Sequence, residues 1–332
     1  MATLASYFRE ALQNIEPGED ADHARDAHAE VRAILQQSQD LKDLGINPVL
    51  IGSYKRHVSI RRVKDVDVFG RLDDADGSLR PGRALALFND ALLAGYDEGR
   101  VHAQHRSFKV DFPDYDLTVD VVPARRAGDN WEIPKKTDQD DRASWIETNP
   151  LKLNELTNQM NADFTLNDKG IYVPTVKLVR QVRRTWLDEQ PGGLFLELMT
   201  YWTFHDHAPS GLSQAEYLTI VIEHIAEAMP DVAANGLDDP TIDGKKIVTR
   251  ATEDDFKVAI KRFEEAAELA REALDEEDDC QAAVLWQRLI GANTEEEQVF
   301  PTPEYCNADG THRATATTVK GAGSPAGTGR YA

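Results

Sequence analysis

Two aspartates with one residue between them, Asp65 and Asp67, stand near the end of the run IRRVKDVDVF, and a Gly-Ser pair, Gly52-Ser53, stands shortly ahead of them. In a strand, residues two apart share a face, so these carboxylates point the same way. Carboxylates held that close repel, and one takes up a proton unless a cation compensates both. A divalent metal is the economical explanation, and magnesium takes one or two carboxylates together with water and phosphate oxygens. Asp120, in LTVDVVP, is the candidate third carboxylate, on a strand face that ends in apolar Val122 just before Pro123. Gly52 permits close backbone approach, and Ser53 adds a hydroxyl and an N–H, a donor cluster suited to a triphosphate. Ser59 offers a further hydroxyl. Each feature alone is ordinary, a surface turn or a solvated strand edge; their order and spacing carry the argument.

The surrounding pattern supplies the elements that must hold these groups. Leu4, Phe8 and Leu12 recur at helical spacing over 3–14, and Ala27, Val31 and Leu35 do so over 21–38. Residues 47–51 form a short apolar run ending at Gly52. Residues 81–94 open with Pro-Gly and predict a helix through Leu85, Phe88 and Leu92. The stretches 106–112 and 115–122 predict a hairpin around Pro113-Asp114 that lays its second strand beside the Asp65 strand. From about residue 150 the pattern is helical, over 150–162, 173–187, 193–204, 214–229 and 253–275. The acidic run 261–279 has Phe263, Ala266, Leu269 and Leu274 on one face and reads as a helix with a solvated face. Residues 302–332, rich in small residues and proline, lack apolar periodicity and read as a flexible tail.

A 332-residue chain with 41% hydrophobic residues suffices for two packed domains. Its 37 basic and 58 acidic residues leave a net charge of −21, which argues against a sequence-independent nucleic-acid binder. No signal peptide or membrane-spanning apolar run is visible, so a cytoplasmic location is expected. The two cysteines, Cys280 and Cys306, lack the spacing of a metal-ligand set and read as structural or incidental. His205-Asp206-His207, at a helix end with no third ligand nearby, reads as surface or capping chemistry.

Ile51-Gly52-Ser53, then Asp65-Val66-Asp67, then Asp120 resembles the signature of the polymerase-β-type nucleotidyltransferase superfamily. Within it the chain looks most like the bacterial cGAS/DncV-like nucleotidyltransferases (CD-NTases) of CBASS anti-phage systems. GSYKRHVSI resembles that family's Gly-Ser-Tyr and following hydroxyl, at Ser59, and VDVVPA its third-carboxylate strand. YVPTVKLVRQVRRTW resembles its Pro-x-x-(Lys/Arg)-Leu-x-(Lys/Arg) helix, FLELMTYW its Leu-Glu-Leu helix, and AVLWQRLIGANTEEEQVFP its Trp…Phe-Pro terminus. The match spans about 45–301. Gly193-Leu194 stand where relatives often carry a Ser-Tyr pair, so base stacking must come from elsewhere, and Ile290 replaces the usual Phe before Gly291.

The resemblance implies an α+β fold: a polymerase-β-like core of mixed sheet with flanking helices over 1–150, joined in a bilobed arrangement to a helical domain over 151–301, with the tail 302–332 beyond. It implies a cyclic-oligonucleotide synthase that makes a cyclic di- or trinucleotide from NTPs, ATP among them, with release of pyrophosphate. Asp65, Asp67 and Asp120 would hold two Mg²⁺, with Mn²⁺ able to substitute, and Gly52, Ser53, Ser59, Lys177 and Arg180 would hold the nucleotide. Expected partners are the substrates, regulatory or conjugating CBASS proteins, the latter acting on the C-terminal tail, and an effector reached through the product. With no DNA-sensing metal ribbon in the sequence, direct DNA activation is not expected, and neither is a membrane partner. The competing readings are a template-independent nucleotidyltransferase acting on RNA or protein, of toxin or antitoxin type, and an inactive nucleotide-binding scaffold.

Overall fold

The computed structural model describes residues 4–73, 77–137 and 140–314. In chain order they form α1 (Ala5–Asn14), α2 (Asp20–Gln37), α3 (Gln39–Asp43), β1 (Asn47–Ile51), α4 (Gly52–Lys55), β2 (Asp65–Leu72) and α5 (Pro81–Gly95). Then come β3 (Val101–Ala103), β4 (Phe108–Phe112), β5 (Leu117–Ala127), β6 (Asn130–Thr137) and β7 (Asp140–Thr148). The second half is helical: α6 (Pro150–Asp163), a small hairpin β8 (Thr165–Leu166) and β9 (Lys169–Gly170), then α7 (Tyr172–Trp186), α8 (Gly193–Asp206), α9 (Gln214–Asn235), α10 (Glu253–Asp275) and α11 (Asp279–Ile290).

The sheet runs β1-β2-β5-β4-β3, with β6 added to β5 and β7 to β6. It is mixed. The β4–β5 hairpin turns at Pro113–Tyr115 and its second strand lies beside β2, as the sequence led one to expect; the pairing of the two is parallel. Val66, Val68, Val119 and Val121 point from β2 and β5 into a core shared with Val31 and Leu35 of α2 and Phe88 of α5. Alternation therefore leaves Asp65, Asp67 and Asp120 on the opposite face.

A second core joins α7 to α11 around Trp286, Tyr217 and Phe263. Phe8 of α1 belongs to this core, its ring edge-on to Trp286 and Phe300 at about 5 Å, so the first helix packs on the helical lobe. Capping boxes at Ser213/Glu216 and Thr252/Asp255 start α9 and α10. α9 runs past Pro230 to Asn235, farther than the periodicity indicated, because Val232 and Ala233 still pack on the core. The β6–β7 hairpin escaped sequence reading: Pro134 argues against a strand in one segment, although β6 runs through it opposite Trp145, and charged residues dilute the alternation of the other.

Residues 302–314 pack against α11, where Cys280 and Cys306 are disulfide-bonded, giving the pair a structural role. The rest of the expected tail, 315–332, lies outside the described residues. No helix among the described residues is long and apolar enough to cross a membrane.

Candidate active site

β1 and β2 are antiparallel, with Ile51 opposite Asp67, so the chain leaves β1 into Gly52 directly beside that carboxylate. Gly52 has φ +77°, and a Cβ built there would lie 1.9 Å from Asp67 Oδ2. Only glycine fits, on both conformational and steric grounds. Ser53 follows in the single turn of α4, and the Ser59 hydroxyl donates to the Ser53 hydroxyl at 3.0 Å. Ser59 is buried and supports Ser53 from behind.

The parallel β2–β5 ladder sets Asp67 opposite Asp120 and Asp65 opposite Thr118. Burial, then the charges of Asp65 and Asp120, pushes the Asp67 carboxyl up to about 7. Burial also raises Asp120, against the pull of Lys109, which stands opposite it on β4. Asp120 Oδ1 is buried with no hydrogen-bond partner.

Two cavities meet at Asp65. One, of about 440 Å³, is lined by Gly52, Ser53, Asp65, Asp67, Arg56 and Arg180, and on its far wall by Leu194, Asp239, Thr241 and Ile247. The other, of about 520 Å³, is lined by Asp65, Asp120, Lys64, Lys109, Asp111 and Thr118. The carboxylates thus form a ridge between two nucleotide-sized spaces. Mutual repulsion, a raised carboxyl and an orphaned buried oxygen are what an all-oxygen site for a hard divalent cation presents in its metal-free form.

Behind the first cavity, Glu197 of α8 is fully buried. It accepts hydrogen bonds from Arg56 Nε at 2.6 Å and Nη2 at 3.1 Å, and Arg180 Nη1 lies 3.6 Å from its Oε2. Burial lowers the Arg180 pKa, with Glu197 opposing and Arg56 reinforcing that shift. Gly193 makes room for this arrangement, since a Cβ there would sit 3.0 Å from the Arg180 guanidinium carbon. Sequence reasoning quoted the Leu-Glu-Leu run without giving Glu197 a role; a lone acid inside an apolar helix was the available signal. Arg56, Leu194, Asp239 and Thr241 were missed as well.

Of the residues singled out from sequence, Gly52, Ser53, Asp65, Asp67 and Arg180 share one cavity, and Asp120 faces the adjoining one. Lys177 does not reach either wall: its Nζ bonds Glu16 Oε1 at 2.5 Å, tying α7 to the chain between α1 and α2. His205 pairs with Asp206 at the exposed end of α8.

Residues 1–161 match the family of Second Messenger Oligonucleotide or Dinucleotide Synthetase domains. Those residues carry a second-messenger nucleotide synthetase domain. Among its curated relatives is the cyclic AMP-AMP-AMP synthase of an Acinetobacter strain, 29% identical over 307 residues, which cover 87% of this chain and 84% of that one. The probable cyclic AMP-AMP-GMP nucleotide synthase of Salmonella paratyphi B is 24% identical, over 99% of this chain and all of that one. Among solved structures, Escherichia coli MS115-1 CdnC with ATP superposes with a TM-score of 0.67 at 17% identity, covering 90% of this chain and 98% of that one. The same enzyme in its HORMA-deltaN complex gives 0.65 at 16% identity, covering 87% and 96%. The fold is thus the polymerase-β-like one expected, and the chain is a nucleotidyltransferase of the cyclic-oligonucleotide synthase kind.

Proposed function

We propose that this enzyme joins three nucleotides, at least two of them adenylates, into a cyclic trinucleotide that serves as an anti-phage second messenger in the cytoplasm. The observation that carries the catalytic part is the Asp65 ridge, with a Gly-Ser turn on one side and the unpaired Asp120 oxygen on the other. The product class rests on the two curated relatives, both named for trinucleotides.

The donor triphosphate lies in the Gly52 cavity, where the Ser53 N–H and hydroxyl and the Arg180 guanidinium bind its phosphates. The acceptor ribose lies in the Asp120 cavity, its hydroxyl directed across Asp65 at the α-phosphorus. Asp65, Asp67 and Asp120 would hold two Mg²⁺, which when bound neutralise the triphosphate and make the acceptor hydroxyl more acidic. Attack forms the new P–O bond as the bond to pyrophosphate breaks, and the protein contributes position and fixed charge. Leu194 and Ile247 offer the donor base apolar contact in place of an aromatic ring. A regulatory protein partner is in keeping with the HORMA complex of the E. coli enzyme.

The test is incubation of the purified chain with all four NTPs and Mg²⁺, then phosphatase treatment and mass spectrometry. A phosphatase-resistant cyclic trinucleotide containing adenylate is expected. A cyclic dinucleotide would overturn the product size, and label transferred only to added RNA or protein would overturn the cyclase reading.

A further inference from the structure

Far from the catalytic ridge, three ligand-type side chains converge where residues 303–313 fold back onto the start of α11. Cys280 Sγ, His312 Nδ1 and an Asp278 carboxylate oxygen are the one such trio among the described residues with ligand atoms mutually within 4.8 Å. Cys306 joins them: its sulfur is bonded to that of Cys280, and it faces His312 across an antiparallel bridge. Both cysteines are buried.

The histidine is what a disulfide does not require. His312 Nδ1 lies 3.5 Å from Cys280 Sγ, while its Nε2 lies 2.8 Å from Asp278 Oδ2. A tetrahedral zinc ion with sulfur at about 2.3 Å and nitrogen at about 2.05 Å sets those two ligands about 3.6 Å apart. The spacing already present is therefore the spacing of two ligands on one ion. A carboxylate on the other ring nitrogen is the arrangement that fixes the tautomer and orientation of a metal-bound histidine. Asp278 is itself held, its Oδ1 accepting from the Cys280 and Gln281 N–H groups as the α11 cap. A tight turn poises His312: Gly310 has φ +80°, and Asp309 accepts from the Thr311 N–H and hydroxyl.

We propose that Cys280, Cys306 and His312 bind a Zn²⁺, with Asp278 as the positioning carboxylate and water in the fourth position. The inference uses the cytoplasmic setting proposed above but not the identity of the product. There a dithiol reductant supplies two electrons and two protons to the disulfide and is itself oxidised to a disulfide. The two thiols then release their protons as the thiolates take up zinc. The ion would clamp the chain just ahead of residue 315 to α11.

The experiment is elemental analysis of the full chain purified anaerobically without chelator, with thiol titration and non-reducing intact mass on the same sample. One zinc per chain is expected, with both thiols reduced and shielded until a chelator is added. Because His312 is half exposed, His312→Ala keeps the fold and should lose the metal, and Asp278→Asn should weaken zinc affinity about 10- to 100-fold. A zinc-free chain overturns the proposal, whether its mass shows an intact disulfide or two free thiols, and so does full zinc occupancy in His312→Ala. Nucleotide synthesis by the same sample, assayed separately, reports on the catalytic reading alone.

Discussion

The Arg56 guanidinium grips the Glu197 carboxylate across the two lobes, linking the end of the Gly-Ser turn to the middle of α8. Neither group sees solvent, and Arg180 shares the same carboxylate. Removing one member strands a buried charge, at a cost of about 3–5 kcal/mol. Glu197→Leu should therefore lower the denaturant midpoint sharply and abolish synthesis, since Arg56 and Arg180 then repel. Adding Arg56→Met should restore much of the stability but not the activity. Urea unfolding of the single and double variants checks both.

Gly52→Ala places a methyl carbon 1.9 Å from Asp67 Oδ2 and forces an L residue to φ +77°. Displacing a reacting group by about 1 Å is enough for losses near 100-fold. The expected result is a fall in pyrophosphate release of that order or greater, in protein that still melts cooperatively.

Asp67→Asn should separate stability from activity. The folded-state carboxyl sits at about 7, above the ordinary carboxylate value of 3.8. A raised carboxylate pKa means the folded state is penalised increasingly as pH rises from about 4 to about 7, and fully above that. In chelator at pH 8 the variant should melt a few degrees higher than the wild-type chain, and at pH 4 the advantage should shrink. Saturating Mg²⁺ should raise the wild-type melting temperature and leave the variant, which makes no product, little changed.

These carboxylates were legible because strand period and charge repulsion are local facts. Asp65 and Asp67 share a face by alternation alone, and one hairpin suffices to bring Asp120 alongside. The pairing of Glu197 was not legible, because its partner Arg56 lies 141 residues away. Lys177 shows the same limit from the other side: its helix was read correctly, but its contact with Glu16 depends on how α7 meets the link between α1 and α2. The helical lobe was visible through its apolar period, whereas β6 and β7 are held by pairing to β5 that neither strand announces by itself. His312 and Asp278 likewise met the cysteines only once the chain had folded back on α11.

His28 lies buried in α2 against the sheet core with its Nδ1 unpaired. Burial first, then the charge of Arg32, holds its pKa below the ordinary 6.5. The unfolded chain therefore takes up a proton more readily than the folded one, and stability present above about pH 6.5 is lost as pH falls below that value. Urea midpoints at pH 7.5 and 5.5 should differ more for the wild-type chain than for His28→Gln. An equal difference would assign the acid sensitivity to other groups.

Arg180 and Lys177 stand one turn apart on α7, yet the structure gives them different surroundings. Arg180 lines the cavity beside Asp67, whereas Lys177 is turned to Glu16. Arg180→Met should raise the KM for nucleoside triphosphate about tenfold or more, because a charge-assisted contact to phosphate is worth about 1.5–3 kcal/mol. Lys177→Met should leave KM unchanged. It should lower stability by under about 1 kcal/mol, since Glu16 is half exposed and water replaces its partner. Initial-rate kinetics on both variants decide the matter: a KM that rises equally in the two would place Lys177 on the triphosphate and require α7 to turn when nucleotide binds.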